Sequence, residues 1–240
     1  MNKIKALFLS VVSKDHIMFA IFVALSVIIL LTKDSRILYV FKYLFSPVSV
    51  FLHEASHGIT AFCLGMEVVD LHMRWLNGYV TSRYILGVEE FQSTIVTFSG
   101  YAGTTVFGLL IFLASINYKR ILLSLLISCC FIFTLVSTDL TTVGVMLYVT
   151  FIFALCLFDA KPINHILRFL GAYLMVSSIE SPMFQIENTK HSDSVTLVNY
   201  YGFNEHFFIG LWVTFSVIII ALSFVTLRKL DSKKGKAEIK

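Results

Sequence analysis

Long apolar runs separated by short polar breaks make up most of the chain. A helix needs about 20 mostly apolar residues to cross the hydrocarbon core of a bilayer. Seven runs approach that length, at 17–32, 37–65, 93–115, 120–137, 140–158, 163–183 and 207–227. The pattern predicts an all-α polytopic membrane protein with about seven transmembrane helices. Only Ser137-Thr138-Asp139 separates the fourth run from the fifth, so those two are expected to form a tight helical hairpin. The chain divides into an N-terminal membrane helix within 1–36, a membrane core over 37–227 and a basic tail over 228–240.

Three regions break the pattern. The second run is longer than one crossing requires and contains Pro47, His53, Glu54 and His57. The segment 67–84 alternates instead, with Val69, Leu71, Met73 and Trp75 apolar and Asp70, His72 and Arg74 polar between them. Period-two alternation is the signature of a strand, and Asn77-Gly78 is a dipeptide favoured in hairpin turns. A small β-hairpin is therefore expected after the second helix. The third region, 184–206, is polar and includes Glu187, Asn188, Lys190, His191 and Asp193.

Composition supports the membrane reading. The 240 residues are 57% hydrophobic and 14% charged, with a mean hydropathy of +0.83. A soluble domain carries about 25% charged residues, too large a difference for a water-facing surface of this size. The net charge of +4 does not point to nucleic acid, because the cations sit at helix ends and in the tail rather than along one stripe. Cys63, Cys129, Cys130 and Cys156 lie in apolar stretches without CxxC spacing and read as small hydrophobes. No small-residue cleavage site follows the first run, which reads as a retained helix. With seven crossings, a cytoplasmic C-terminal tail puts 13 of the 19 Lys and Arg on the inner side. Charge bias therefore favours an outside N-terminus.

The candidate chemistry lies in His53-Glu54-Ala55-Ser56-His57. Histidines four apart stack on one helix face, where both imidazoles can reach one tetrahedral Zn2+. Glu54, one residue along, can take the proton of a water at the fourth position, as the general base of a metallopeptidase. Three ionisable groups within five residues of an apolar helix are costly, and a metal gives them a reason to be there.

The run from Phe51 to Gly58 resembles the motif helix of the site-2-protease intramembrane zinc metallopeptidases. In them a β-hairpin follows, and the next helix opens with small residues, as Phe98-Ser99-Gly100-Tyr101-Ala102-Gly103 does here. Ser192-Asp193-Ser194 through Tyr201-Gly202 is similar to a segment in a B-like branch of these peptidases. The resemblance implies a zinc metalloendopeptidase that cleaves a transmembrane or juxtamembrane segment of a membrane protein in a bacterial cytoplasmic membrane. It also implies that the hairpin edge pairs with an extended substrate, making Leu71, Met73, Trp75, Asn77 and Gly78 candidate substrate-binding residues. The family's third ligand is an Asp in a Leu-Asp-Gly motif, which this chain lacks. Asp193, in the similar segment with Ser192 as a possible N-cap, is the favoured third ligand. Glu180, just before Pro182, is the rival, and His191 and His72 are further candidates.

Gly100, Thr104 and Gly108 recur every four residues, a spacing that lets helices approach closely. Two other functions remain open: a membrane chaperone, adaptor or regulator that keeps the site without cleaving, and a zinc enzyme of another reaction class. Glu54 discriminates, because a pure binding protein has no chemical need for a carboxylate between the histidines. Transport is disfavoured, because no inverted repeat or pair of broken helices is evident.

Overall fold

Each of the seven apolar runs is helical in the computed structural model, which describes residues 15–32, 35–83, 89–185 and 192–237. They are α1 (Asp15–Leu31), α2 (Arg36–Cys63), α3 (Glu89–Asn117), α4 (Lys119–Val136), α5 (Leu140–Cys156), α6 (Lys161–Gln185) and α8 (Glu205–Ala237). An additional short helix, α7 (Asp193–Tyr201), lies in the polar stretch before α8, and β1 (Glu67–Met73) pairs antiparallel with β2 (Gly78–Arg83) between α2 and α3.

Length and composition alone support fewer crossings than the seven expected. Among the described residues three helices are long and apolar enough to span a bilayer: Glu90–Ile116 within α3, all of α4, and Glu205–Ser232 within α8. A fourth span requires α1 and α2 to count as one bent pair, and α5 is apolar but 17 residues long. Lys42, Glu54 and two histidines dilute α2; Arg168, Glu180 and three serines dilute α6. The chain is an integral membrane protein whose less apolar helices are partly wrapped by the others.

The central helix is α3, which packs on α2, α6 and α8. Its contact with α6 is nearly backbone to backbone. A Cβ on Gly108 would meet the Gly171 carbonyl at 2.7 Å, and one on Gly171 would meet the Gly108 carbonyl at 2.6 Å. Small residues at such a crossing bring helices close without lost side-chain contact. On the other side of α2, the main core joins Phe51, Leu52 and Ala55 to Phe133 of α4 and Phe153 of α5. The sharp α4–α5 connection is fixed by Asp139, the N-cap of α5, which accepts from the Thr141 and Thr142 amides at 3.2 and 3.1 Å.

Two polar contacts seat the hairpin. The Met73 amide donates to Thr142 Oγ1 at 2.8 Å. Trp75 Nε1 donates to the Tyr43 carbonyl at 2.8 Å. That carbonyl lies four residues before Pro47, which has no N–H to offer it. The indole thus fills the hydrogen bond that the proline leaves open.

The hairpin turn differs from expectation. Its loop is 74–77, closed by the Arg74 amide on the Asn77 carbonyl at 2.8 Å, and Gly78 is the first residue of β2. Neither Asn77 nor Gly78 has positive φ. Glycine is needed at 78 for space instead, since a Cβ there would stand 2.8 Å from the His72 carbonyl and 3.1 Å from Glu54 Cγ.

Candidate metal centre

His53 and His57 project from one face of α2, and their rings meet edge to face with centroids 4.7 Å apart. Their Nε2 atoms are 3.1 Å apart. His57 Nδ1 donates to the Val96 carbonyl of α3 at 2.7 Å. A carbonyl can only accept, so the neutral ring carries its proton on Nδ1 and presents the Nε2 lone pair to His53. Such a carbonyl partner is the usual device for fixing the tautomer of a metal-ligating histidine.

Asp193 enters from the other end of the chain. It is the first residue of α7, and Ser192 caps that helix by accepting from the Val195 amide at 3.3 Å. Ser194 donates to Glu205 Oε1 at 2.6 Å, tying α7 to the first turn of α8. Two tyrosines at the far end of α7 tie it to α3: Ser93 donates to Tyr200 at 3.1 Å, and Tyr201 meets the Thr94 hydroxyl at 2.8 Å. Held this way, Asp193 Oδ2 lies 3.1 Å from His53 Nε2 and 3.4 Å from His57 Nε2.

These three distances test whether the residues suit a metal. Zinc binds nitrogen and oxygen at about 2.0–2.2 Å in a tetrahedron, so its ligand atoms stand about 3.3–3.6 Å from one another. The observed triangle of 3.1, 3.1 and 3.4 Å has nearly that size. Asp193 Oδ2 is buried and has no hydrogen-bond partner among the described residues. A buried carboxylate oxygen crowded by two imidazole Nε2 atoms, one of them a lone pair, is costly alone and favourable around a cation. The donor set of two imidazoles and a carboxylate fits zinc, and these three are the group among the described residues whose ligand atoms converge in this way.

The other candidates lie elsewhere. Glu180 is buried against Lys42, whose Nζ is 2.6 Å from its Oε1. His72 Nε2 sits 2.8 Å from Asp70 Oδ2. His191 lies outside the described residues. Of the hairpin residues, Leu71 and Met73 are fully buried in the core, and Trp75 stacks on Tyr43. Asn77 and Gly78 do border the site.

They line a cavity of about 320 Å³ that opens beside the histidines. Its walls are α2, the β2 end of the hairpin, α3 and α6, with Asp193 at one side. Serines and threonines dominate the lining, among them Ser49, Thr97, Thr104, Ser177 and Ser178. A wall of that kind can hold water or a peptide backbone at membrane depth, where lipid cannot. Glu54 faces this cavity from a buried position, with the Val80 amide of β2 in hydrogen-bonding reach of its carboxylate.

Two contributors had no signature in the sequence. The Val96 carbonyl is a backbone atom and leaves no residue identity to read. Tyr101 lies in the small-residue opening of α3, yet its ring stands edge to face on His53, with centroids 4.4 Å apart.

A family model described as Peptidase M50B-like matches residues 18–223. Neither a curated protein nor a solved structure matches the chain.

Proposed function

The chain belongs to the Peptidase M50B-like family, and from that premise we propose that it is an intramembrane zinc metalloendopeptidase acting on a transmembrane or juxtamembrane segment of another membrane protein. Peptidases of this wider group are zinc-dependent. The observation that carries the reading is the triangle of His53, His57 and Asp193, sized for one tetrahedral ion and bordered by Glu54.

In this reading His53, His57 and Asp193 hold the zinc. The bound ion supplies a Lewis acid that lowers the pKa of water and polarises a peptide carbonyl. Glu54 does the proton work. It accepts a proton as water oxygen bonds to the scissile carbonyl carbon, and it returns that proton to the amide nitrogen as the C–N bond breaks. Asn77 and Gly78 at the start of β2 line the same cavity and favour an extended substrate there, because peptide hydrolysis needs a backbone free of helical hydrogen bonds.

The test uses purified full-length protein in detergent. Wild type should carry about one zinc per chain, the ratio of a mononuclear site. His53→Ala and His57→Ala should lose it. Glu54→Gln should keep zinc while ending cleavage of a pool of synthetic peptides spanning membrane segments. Equal zinc in all variants would remove the metal centre. A cellular phenotype that survives Glu54→Gln unchanged would favour the non-cleaving adaptor instead.

A further inference from the structure

Tyr101 is 3% exposed, and its hydroxyl has no hydrogen-bond partner among the described residues. Buried tyrosines ordinarily find a partner for that group, and leaving it idle is unfavourable. The residue sits on the cavity face of α3, between Thr97 one turn before it and Thr104 one turn after, and all three line the cavity. Its ring packs against two neighbours in edge-type contacts, His53 with centroids 4.4 Å apart and Trp212 of α8 with centroids 5.0 Å apart. Trp212 is itself fully buried, and its Nε1 donates to the Phe98 carbonyl at 3.0 Å. The phenol therefore cannot swing away to satisfy itself elsewhere. The carboxylates of Asp193, Glu54 and Glu180 act on it electrostatically, but none accepts from it.

A fixed donor without an acceptor, beside the reacting centre, suits a charge that exists only during reaction. Attack on a peptide carbonyl turns its oxygen into an oxyanion, and preorganised donors aimed at that oxygen stabilise the transition state more than the substrate. We propose that Tyr101 is a catalytic residue whose hydroxyl donates to the scissile carbonyl oxygen as it becomes an oxyanion. This rests on the peptidase reading above and adds a function to a residue outside the His-Glu-His motif. No proton is transferred in the step; the hydroxyl keeps its hydrogen and releases its hold when the carbonyl re-forms. The idle donor of the resting protein is stability given up for this role.

Tyr101→Phe tests it, read in three ways on the full chain in detergent. Zinc content should match wild type, and thermal stability should be equal or higher, because the variant removes only an unpaired buried hydroxyl. On the peptide that wild type cuts best, kcat should fall about 10²- to 10³-fold with KM unchanged, the usual effect of losing one oxyanion donor. Binding of N-phosphoryl-leucyl-phenylalanine, whose tetrahedral phosphoryl group carries the charge, should weaken by a similar order in the zinc-loaded variant. Unchanged kcat in a system where wild type cleaves overturns the role of Tyr101 alone. Loss of zinc would make Tyr101 a positioning residue for the metal ligands and overturns the proposal too. Weakened phosphoryl binding where wild type cuts nothing would keep Tyr101 as an anion donor and sink the peptidase reading. Unweakened binding there would overturn both.

Discussion

Gly100 lies so close to His57 that a methyl group on its Cα would stand 2.5 Å from the imidazole Nε2. The same methyl would stand 2.5 Å from His53 Cε1. The small-residue stripe of α3 therefore does more than let two helices cross. At this position it clears the space that both rings occupy.

Gly100→Ala should displace the imidazoles while leaving the helices in place. Zinc affinity is expected to fall roughly 10- to 100-fold, the range seen when a metal site's supporting shell is disturbed. Competition with a chelator measures this, and circular dichroism should show unchanged helix content. A variant that binds zinc as wild type does would mean that the site has slack the geometry does not suggest.

The two acidic candidates for third ligand separate by substitution. Asp193→Ala should lose zinc, because two imidazoles leave a catalytic site one protein ligand short. Glu180→Ala should keep zinc but unfold more easily, because it removes the partner 2.6 Å from Lys42. Losing one member of a buried pair costs about 3–5 kcal/mol. With Lys42 one-third exposed, about 1–3 kcal/mol is expected here. Zinc retention in Asp193→Ala alongside loss in Glu180→Ala would reverse the assignment.

Trp75 and Pro47 should be coupled through the Tyr43 carbonyl. Trp75→Phe keeps the stacking on Tyr43 and removes the donor, at a cost of about 1 kcal/mol. Pro47→Ala supplies the missing backbone N–H. The same Trp75→Phe change should therefore cost less in that background, and a double-mutant cycle on thermal unfolding reads the difference. Additive effects would mean that the indole donor stabilises nothing at the proline.

Asp139 gives a pH signature outside the membrane-spanning segments. The Thr141 and Thr142 amides hold its carboxyl below the usual range. A group whose folded pKa is depressed stabilises the fold above its unfolded pKa, near 3.8 here, and loses that contribution as pH falls through the folded value. Wild type should therefore be more stable than Asp139→Ala at neutral pH, and the gap should narrow below about pH 4. A gap that stays constant down to pH 2 would place the effect in packing rather than in the charged cap.

Much of this was legible because it depends on local spacing. Two histidines four apart must share a helix face whatever surrounds them, and Ser192 signals a helix start from its own side chain. The hairpin was legible from alternation, but its turn was not. Asn77-Gly78 carries the statistics of a left-handed turn, while Gly78 is glycine because the His72 carbonyl of the paired strand and the Glu54 side chain of α2 both lie against it, contacts that only the folded chain brings together. The count of crossings was less legible. All seven apolar runs are helical, but α2 and α6 mix apolar and polar positions and α5 has 17 residues, so among the described residues length and composition support three spans, or four with the bent α1–α2 pair. The orientation of Tyr101 toward His53 depends on how α3 meets α2 and α8, which no single window of sequence contains.

Asp193 reaches the histidines from a helix that begins 136 residues after His57. During synthesis α2 enters the bilayer long before α7 exists, so the nascent chain carries two imidazoles and a general base without their carboxylate partner. On the reading proposed here, the ribosome itself delays proteolysis. Competence arrives only when α7 has been made and has docked on α3, so a product interrupted before Asp193 is left without a working blade among the membrane proteins around it.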